Sequence, residues 1–365
     1  MINKNDTITP LQSSLLIVQS QVGVGILSLP YSVHAIAKQD AWLSTFLAGF
    51  IVNGFIWLII LLAKRFPSQS LFQYTPQLFG KWVGNSLSLM YIIYFILVGS
   101  LILTLYLNVI YKWVFDETPI WATLLLMVLI SIYLAKEPLR VIARFHGFVT
   151  VLILGLIGMV AYSYITIDIR YILPVGQSGI LNIFKGSKEA AISFLGYELL
   201  LVVFPCILNG RKSALKAATY ANLFVTLLYG FVVFTSLIVF SPIEIELVPE
   251  PILYMLKAFS SRVVDRIDLL LLSIWMVCVT TSYVTYIYLG GKGIQTLFSL
   301  KKQSTAVIIA AFLTYWIPLF LQGEVKIAAF SKYVSNISYI FTIGIPVLLL
   351  LISLVFHRKS KEQSL

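Results

Sequence analysis

Charged side chains are scarce in this sequence. Only 11% of its 365 residues are Asp, Glu, Lys or Arg, against about 25% in soluble domains, which excludes an ordinary soluble protein. The two cysteines, Cys206 and Cys278, lie in apolar runs without CxxC spacing, so we expect them to be packing residues. His34, His146 and His357 are too scattered for a metal site or a nucleophile pair. No pattern predicts an enzyme, a cofactor or a metal.

Apolar residues, in contrast, make up 59% of the chain, and the mean hydropathy is +0.93. Stretches near or above the roughly 17 to 25 residues that cross a bilayer recur from end to end. The sequence therefore predicts an all-α membrane protein with no separate soluble domain. We predict ten transmembrane helices, at about 10–37, 41–63, 83–111, 119–135, 145–166, 187–208, 214–240, 267–290, 304–321 and 333–356.

The distribution of charge predicts the orientation of these helices. Most Lys and Arg residues fall in the loops on the side of the two termini, and acidic residues concentrate in the opposite loops. Because basic residues mark cytoplasmic loops, we expect both termini to be cytoplasmic. The net charge of +11 follows from this topology, and no basic soluble face predicts a nucleic-acid partner.

Two glycines interrupt the first apolar span. Residues 21–30 read QVGVGILSLP, with Gly23 and Gly25 where a membrane helix would be continuous. Each glycine weakens a helix by about 1 kcal/mol, and non-helical backbone inside a bilayer is tolerated only against protein or a water-filled cavity. A half-helix beginning near Ile26 would offer free N–H groups to an anion such as a carboxylate. Alternatively, the glycines serve only close helix packing.

A glycine also interrupts the sixth span: it is Gly196, within residues 191–201, which read AISFLGYELLL. Breaks at matching positions of two halves indicate an inverted-repeat transporter fold with a site near the membrane midplane. We therefore predict a 5+5 inverted repeat of the LeuT type with its first and sixth helices broken. Residues 1–170 and 171–356 form the repeats of one transmembrane domain, and residues 357–365 form a cytoplasmic tail.

Glu198 is a carboxylate deep inside an apolar span, two residues after Gly196. An acidic residue at the centre of a membrane helix costs roughly 2.5 to 3.5 kcal/mol and commonly faces a cavity. We expect Glu198 to contact a ligand ammonium or to exchange a proton. The alternative is a structural role, in which it bonds hydroxyls or backbone between helices.

Hydroxyl side chains mark two further spans. Residues 278–283, CVTTSY, contain oxygen groups that suit sodium, but such groups also bond neighbouring backbone, and we favour this second interpretation. In the third span Ser100, Thr104 and Asn108 share one helical face, from which Thr104 could reach a central ligand.

Three motifs resemble the B subunits of bacterial spore germinant receptors. They are GVGILSLP at 23–30, QDAW at 39–42 and SFLGYE at 193–198. The resemblance implies a transporter-like fold that senses a nutrient in the spore inner membrane, with an A subunit and a C-subunit lipoprotein as partners. It also implies an amino acid whose carboxylate meets the first break and whose amine meets carbonyls near Val22 and Phe194. The ligand-binding residues predicted in this way are Val22, Gly23, Gly25, Ile26, Leu27, Thr104, Phe194, Gly196, Tyr197, Glu198 and Thr281.

Two other functions fit the same sequence. A proton-coupled amino acid transporter would use the same pocket but would move its substrate across the membrane. A structural membrane scaffold would bind no ligand, and both Glu198 and the paired helix breaks disfavour it.

Overall fold

The computed structural model describes residues 6–115, 117–208, 210–258 and 266–355. Over these residues the regular structure is helical, apart from one parallel bridge between Ile8 and Ile207. The helices are α1 (Pro10–Gln21), α2 (Gly25–Ala37), α3 (Ala41–Ala63), α4 (Leu71–Phe79), α5 (Lys81–Trp113), α6 (Ile120–Ala135), α7 (Leu139–Tyr162), α8 (Gly179–Ser193), α9 (Leu200–Val203), α10 (Gly210–Val239), α11 (Pro251–Lys257), α12 (Ile267–Leu297), α13 (Gln303–Phe320), α14 (Glu324–Tyr339) and α15 (Ile345–Val355).

Seven helical stretches among the described residues are long and apolar enough to cross a membrane, or eight if the bent pair around Gly196 counts as one span. One of the seven, Gly25–Ala63, comprises α2 and α3 joined by a short 3₁₀ turn. The predicted total of ten transmembrane helices stays a prediction. Three predicted span starts, at 145, 187 and 333, were too late in the sequence, because α7 begins at Leu139, α8 at Gly179 and α14 at Glu324. In each case charged residues in the first turns shortened the apolar run without ending the helix.

Local sequence explains where several helices begin. Thr9 caps α1 through a reciprocal pair of hydrogen bonds with Gln12, and Pro10 occupies the first helical position. Ser70 and Gln73 repeat the same capping box at α4. The capping box of Thr9 and Gln12 places the start of α1 at Pro10, where hydropathy predicts that the first transmembrane span begins.

Large apolar side chains remain exposed on the outer faces of α3, α6 and α7, as with Phe50, Leu126 and Phe148. Such a surface is unfavourable in water and suits lipid. The interior is closely packed. Trp275 of α12, for example, is buried and stacks on Tyr106 of α5, with 6.1 Å between ring centroids. The chain is a multi-pass membrane protein whose core lies between α1, α5, α10 and α12.

A contact that we call the N-terminal latch closes one end of the bundle. Ile8 exchanges backbone hydrogen bonds with the 206–208 segment, at 2.8 Å each. Asp6 accepts from the Leu139 N–H at 3.0 Å and pairs with Lys292 at 3.2 Å. The latch thereby fastens the start of α1 to α7, α12 and the segment after α9.

The opposite end is closed by contacts around the 3₁₀ turn Lys38–Asp40. The buried Asp40 carboxylate accepts from the N–H groups of Gly176 and Ser178, at 2.7 and 3.0 Å. Lys38 lies 2.6 Å from Glu246, and this hydrogen-bonded ion pair lowers the pKa of Glu246. A hydrogen-bonded ion pair thus lies at each end of the bundle.

Candidate functional site

The first break separates α1 from α2. The chain leaves the helix at Val22, whose ψ of 94° is extended, and re-enters it at Gly25. Val24 occupies the N-cap position of α2 without a side-chain cap. The first N–H groups of a helix have no partner inside it, so those of Gly25, Ile26 and Leu27 lack an acceptor within α2.

The second break separates α8 from α9, and the two halves differ in direction by 57°. Gly196 has a φ of +127°, a conformation that side chains rarely adopt. A Cβ at this position would lie 2.6 Å from the carbonyl carbon of Ser20. Glycine is therefore required here both by backbone conformation and by contact with α1. The two breaks pack directly on each other.

Both oxygens of Glu198 are held by protein groups. Oε1 accepts hydrogen bonds from the hydroxyls of Tyr94 and Tyr286, at 3.1 and 2.7 Å. Oε2 accepts from the N–H of Gly196 at 2.7 Å, and the side chain is fully buried. Three donors therefore hold the two oxygens of this carboxyl group in place. Glu198 thus fastens the second break to α5 and α12, the geometry of the structural alternative stated above.

Polar side chains of α1 and α10 also brace the breaks. Gln21 donates from Nε2 to the carbonyl of Phe194 at 2.9 Å. The Tyr229 hydroxyl lies 2.8 Å from the carbonyl of Gln21 and 3.2 Å from that of Ser193. Since Tyr229 is buried, these bonds satisfy carbonyls that the broken helices leave open.

A cavity of about 80 Å³ lies between the two breaks. Its walls are backbone, hydroxyl groups, one amide and apolar side chains, and no charged residue lines it. The lining residues are Ser20, Gln21, Gly23, Val24, Gly25, Val98, Leu101, Ile102, Leu105, Ile192, Ser193, Leu195, Ser282, Tyr286 and Ser331. The uncapped start of α2 and the end of α8 meet here, because a Cβ on Gly25 would lie 2.7 Å from the Ser193 hydroxyl. Such an arrangement offers both N–H donors and carbonyl acceptors to one small molecule.

The predicted site residues occupy several places. Gly23 and Gly25 line this cavity. The side chains of Val22, Ile26, Leu27 and Phe194 are buried in the core. Gly196, Tyr197 and Glu198 form the second break behind the cavity, and Tyr197 also lines a separate cavity of about 280 Å³ between α3, α8 and α14.

Two predicted residues lie further away. Thr104 lines another cavity of about 280 Å³ and bonds the carbonyl of Ser100 at 2.8 Å. Thr281 lies in the contact between α1 and α12, where it donates to Gln19 at 2.9 Å.

Sequence reasoning missed several cavity residues. Gln21 lies in the stretch 21–30 and Ser282 in the stretch 278–283, and their polarity within apolar runs was an available signal. Tyr286 lies one helical turn after Ser282 and so shares its face. Ser331 of α14 carried no signal, because only the folded chain brings that helix to the breaks.

The sequence profile of the family described as spore germination protein matches residues 7–327. The chain belongs to the spore germination protein family. Relatives include spore germination protein GerQB of Bacillus cereus, 27% identical over 94% of this chain and 95% of that protein. Spore germination protein A2 of Bacillus subtilis (strain 168) is 27% identical over 90% of each chain. YndE of the same strain is 25% identical over 97% and 98%. These matches confirm the resemblance to the B subunits of germinant receptors.

This spore germination protein also shares its fold with a solved transporter. That structure is described as Mhp1, a nucleobase-cation-symport-1 family transporter, in a closed conformation with bromovinylhydantoin bound. The TM-score is 0.58 with 11% identity, over 97% of this chain and 80% of that one. At this identity the likeness shows the fold alone. The germination protein is therefore an all-helical membrane protein with a transporter-like fold.

Proposed function

We propose that this chain is the nutrient-sensing subunit of a spore germinant receptor, which binds a small germinant, an amino acid, between the two helix breaks. The observation that carries the proposal is the convergence of opposite helix ends at one cavity. The start of α2 carries partial positive charge and the end of α8 carries partial negative charge. Gly25 and Ser193 bring these ends together. A zwitterion complements both.

In this proposal the ligand carboxylate accepts hydrogen bonds from the N–H groups of Gly25, Ile26 and Leu27. The ammonium group faces the carbonyl end of α8 at Ser193 and Phe194. These carbonyls already accept from Tyr229 and Gln21, but each carbonyl oxygen has two lone pairs. Helix ends thus supply the charge complementarity that a cavity without charged residues otherwise lacks.

The remaining walls favour a small, uncharged ligand side chain. Four residues of α5 present an apolar surface: Val98, Leu101, Ile102 and Leu105. The cavity volume of about 80 Å³ is well below the roughly 300 to 1,000 Å³ of sites for drug-sized ligands. An additional charge on the ligand would be buried there without a partner, at a cost of several kcal/mol. We therefore infer a small apolar amino acid and take L-alanine as the first probe.

The broader arrangement that we propose is a 5+5 inverted repeat of the LeuT type with ten transmembrane helices. Helices α1 to α7 supply the first repeat, and α8 to α15 supply the second. The helix breaks at Gly23 and Gly196 then occupy matching positions in the two repeats, as discontinuous helices do in such folds. Two such breaks in contact give an element that a ligand can shift between arrangements.

We infer that ligand binding stabilises one arrangement of the broken helices and that partner subunits detect this arrangement. The partners in this proposal are the A-type subunit and the C-type lipoprotein, in the inner membrane of the spore with both termini on the cytoplasmic side. A ligand shifts such an equilibrium only by its difference in affinity for the two arrangements. The contact between Gly25 and Ser193 is where that difference would arise.

The second candidate is a proton-coupled amino acid transporter, which the fold likeness to Mhp1 favours. Both candidates bind ligand in the same cavity. A transporter would accumulate labelled L-alanine in vesicles that contain this chain alone. A sensor subunit would bind L-alanine there without flux.

A thermal-shift screen of the purified full-length protein tests the proposal. Amino acids, sugars and nucleosides are compared, because a ligand that binds only the native state raises its melting temperature. We expect a small apolar amino acid to raise it in the wild type and in Gly54→Ala, whose added Cβ meets nothing within 4 Å. If only sugars or nucleosides stabilise the protein, the zwitterion site is wrong.

A further inference from the structure

His146 is a fully buried histidine of α7 that the proposed ligand site does not use. Its ring lies between α7 and α12. Nδ1 is 2.9 Å from the carbonyl oxygen of Ile142, and Nε2 is 3.0 Å from the carbonyl oxygen of Thr281. Nε2 is also 3.2 Å from the hydroxyl of Thr285. Both ring nitrogens therefore face acceptors in the membrane interior.

The chemistry of imidazole makes this geometry informative. A neutral ring carries one N–H and one lone pair, whereas the imidazolium ion carries two N–H donors. With a neutral ring, one of the carbonyls of Ile142 and Thr281 faces a nitrogen lone pair at hydrogen-bond distance. With a protonated ring, both carbonyls accept a hydrogen bond. Protonation thus adds a hydrogen bond to one carbonyl, whereas the Thr285 hydroxyl can also donate to a neutral ring. Burial of the ring without an anionic partner opposes its charge.

A hydrogen-bonded path links this ring to the cavity. The Thr285 hydroxyl lies 3.0 Å from the hydroxyl of Ser20, and Ser282 donates to the carbonyl of Ser20 at 3.0 Å. Ser20 and Ser282 both line the cavity. The contacts of His146 therefore form part of the surface against which the end of α1 closes.

A second set of bonds crosses the same interface. Gln19 accepts from Thr281 at 2.9 Å and donates to Thr150 at 3.3 Å, which joins α1 to both α12 and α7. Movement of α1 away from these helices would break this set together with the Ser20 contacts. Closure of α1 and the hydrogen bonding of His146 thus depend on one packed interface.

The surroundings of the ring hold uncharged partners. The groups that face the His146 ring, or lie on the hydrogen-bonded path from it to the cavity, come from α7, α12 and α1. Among the described residues, no charged or titratable side chain contacts the ring. A polar cavity of about 490 Å³ lies beside the N-terminal latch and includes Leu139 and Tyr288 in its walls. Leu139 is two helical turns before His146, and Tyr288 is one turn after Thr285, so the cavity wall lies within about 10 Å along each helix.

We propose that His146 is a proton-binding site whose occupation stabilises the closed packing of α1 against α7 and α12. In this step an O–H bond of a hydronium ion from solvent breaks, an N–H bond forms at the ring nitrogen, and a neutral water molecule is left. In the closed packing both carbonyls bond the imidazolium, and this is also the packing that forms the cavity. Proton binding and ligand binding then favour the same arrangement, so ligand affinity rises as pH falls through the titration of the ring. This last step rests on the proposed ligand site.

Nitrogen NMR of the full-length protein with ¹⁵N-labelled histidine tests the proton site directly, since the chain has only three histidines. Signals are assigned by their loss in His146→Asn, His34→Asn and His357→Asn. His34 is the internal comparison, because neither of its buried ring nitrogens has a hydrogen-bond partner. We expect both nitrogens of His146 to become protonated in the folded protein within about pH 4 to 7, because burial without an anionic partner opposes the charge. A ring that stays neutral throughout that range in folded protein would overturn the proposal.

The coupling to ligand is tested with L-alanine affinity as a function of pH. One linked proton allows a change of up to about tenfold in Kd per pH unit. We expect the wild type and His34→Asn to approach this slope and His146→Asn to lose it. A wild-type affinity that does not change with pH would overturn the coupling. If L-alanine and the other amino acids fail to bind, the proposed function fails, while the NMR titration still decides the proton site.

Discussion

Substitution of Gly25 by alanine tests the contact between the two broken helices. The added Cβ would lie 2.7 Å from Oγ, 3.0 Å from Cβ and 3.2 Å from Cα of Ser193. The hydroxyl can rotate away, but the Cα belongs to the backbone at the end of α8. The substitution therefore pushes the start of α2 and the end of α8 apart and distorts the place where the ligand is expected to bridge them.

The size of the effect follows from the cost of overpacking. Inserting a methyl group into a packed site costs about 1 to 3 kcal/mol. If the helices relax apart in the ligand-free protein, this cost falls on binding and weakens L-alanine affinity by about 5- to 150-fold. The melting temperature without ligand should change little, because the strain is relieved when the site opens.

The assay is the dissociation constant of L-alanine, measured on purified protein that elutes as the wild type does. Gly54→Ala is the matched control, since its Cβ meets nothing within 4 Å. Ser193→Gly provides relief, because it removes two of the three close atoms. In the double variant most of the lost affinity should return. Unchanged affinity in folded Gly25→Ala, or no recovery in the double variant, would refute the contact as the ligand site.

Three further predictions concern the surroundings of the site. Glu198→Gln keeps the shape but puts an amide donor where a carboxyl oxygen accepts from Tyr94 and Tyr286 or from Gly196. The melting temperature should therefore fall by an amount equal to about 1 to 3 kcal/mol. An unchanged value would remove the carboxyl group from the support of the break. Gly196→Ala adds backbone strain and a Cβ 2.6 Å from Ser20, and it should cost about 3 kcal/mol or more. Gly323→Ala is the matched control, because Gly323 also has a positive φ but its added Cβ would meet nothing within 4 Å. Equal losses of stability in the two variants would show that the contact between Gly196 and α1 is irrelevant. Asp6→Asn removes the ion pair with Lys292, which is worth about 1 kcal/mol. Maleimide labelling of Cys206, which lines the adjacent cavity, should therefore become about fivefold faster. The control is Glu246→Gln at the opposite end of the bundle, which should leave the labelling rate unchanged.

The sequence carried enough information to place the breaks but too little to assemble the cavity. Glycines inside apolar runs are local signals, and the chain leaves regular helix at Val22 to Val24 and again near Gly196. The role of a side chain depends on what the fold brings beside it. A carboxyl group inside an apolar span suits a ligand contact, yet one oxygen of Glu198 accepts hydrogen bonds from tyrosines of α5 and α12. Sequence periodicity cannot predict that pairing.

Spacing along one helix does not give the direction of its faces. Thr104 shares a face with Ser100, as the spacing predicted, and Thr104 lines a separate cavity. Four apolar residues from the neighbouring face line the cavity between the breaks: Val98, Leu101, Ile102 and Leu105. A helical period defines which residues share a face, whereas the direction of that face depends on packing against other helices.

The arrangement of the site separates the recognition of charge from the recognition of shape. In the proposed binding mode, backbone groups at the ends of α2 and α8 would face the charged groups that any amino acid shares. Leu101 and Ile102 of α5, which line the cavity, would contact the side chain, which differs between amino acids. A substitution on α5 should therefore change which amino acid binds without disturbing the breaks. Leu101→Ala enlarges the cavity, and it should shift preference from L-alanine toward a longer apolar amino acid such as L-valine. One extra methylene in a hydrophobic pocket is worth about 1 to 3 kcal/mol, so the ratio of the two affinities should change by about 5-fold or more. If Leu101→Ala weakens both amino acids equally, α5 does not contact the ligand side chain and the proposed orientation in the cavity is wrong.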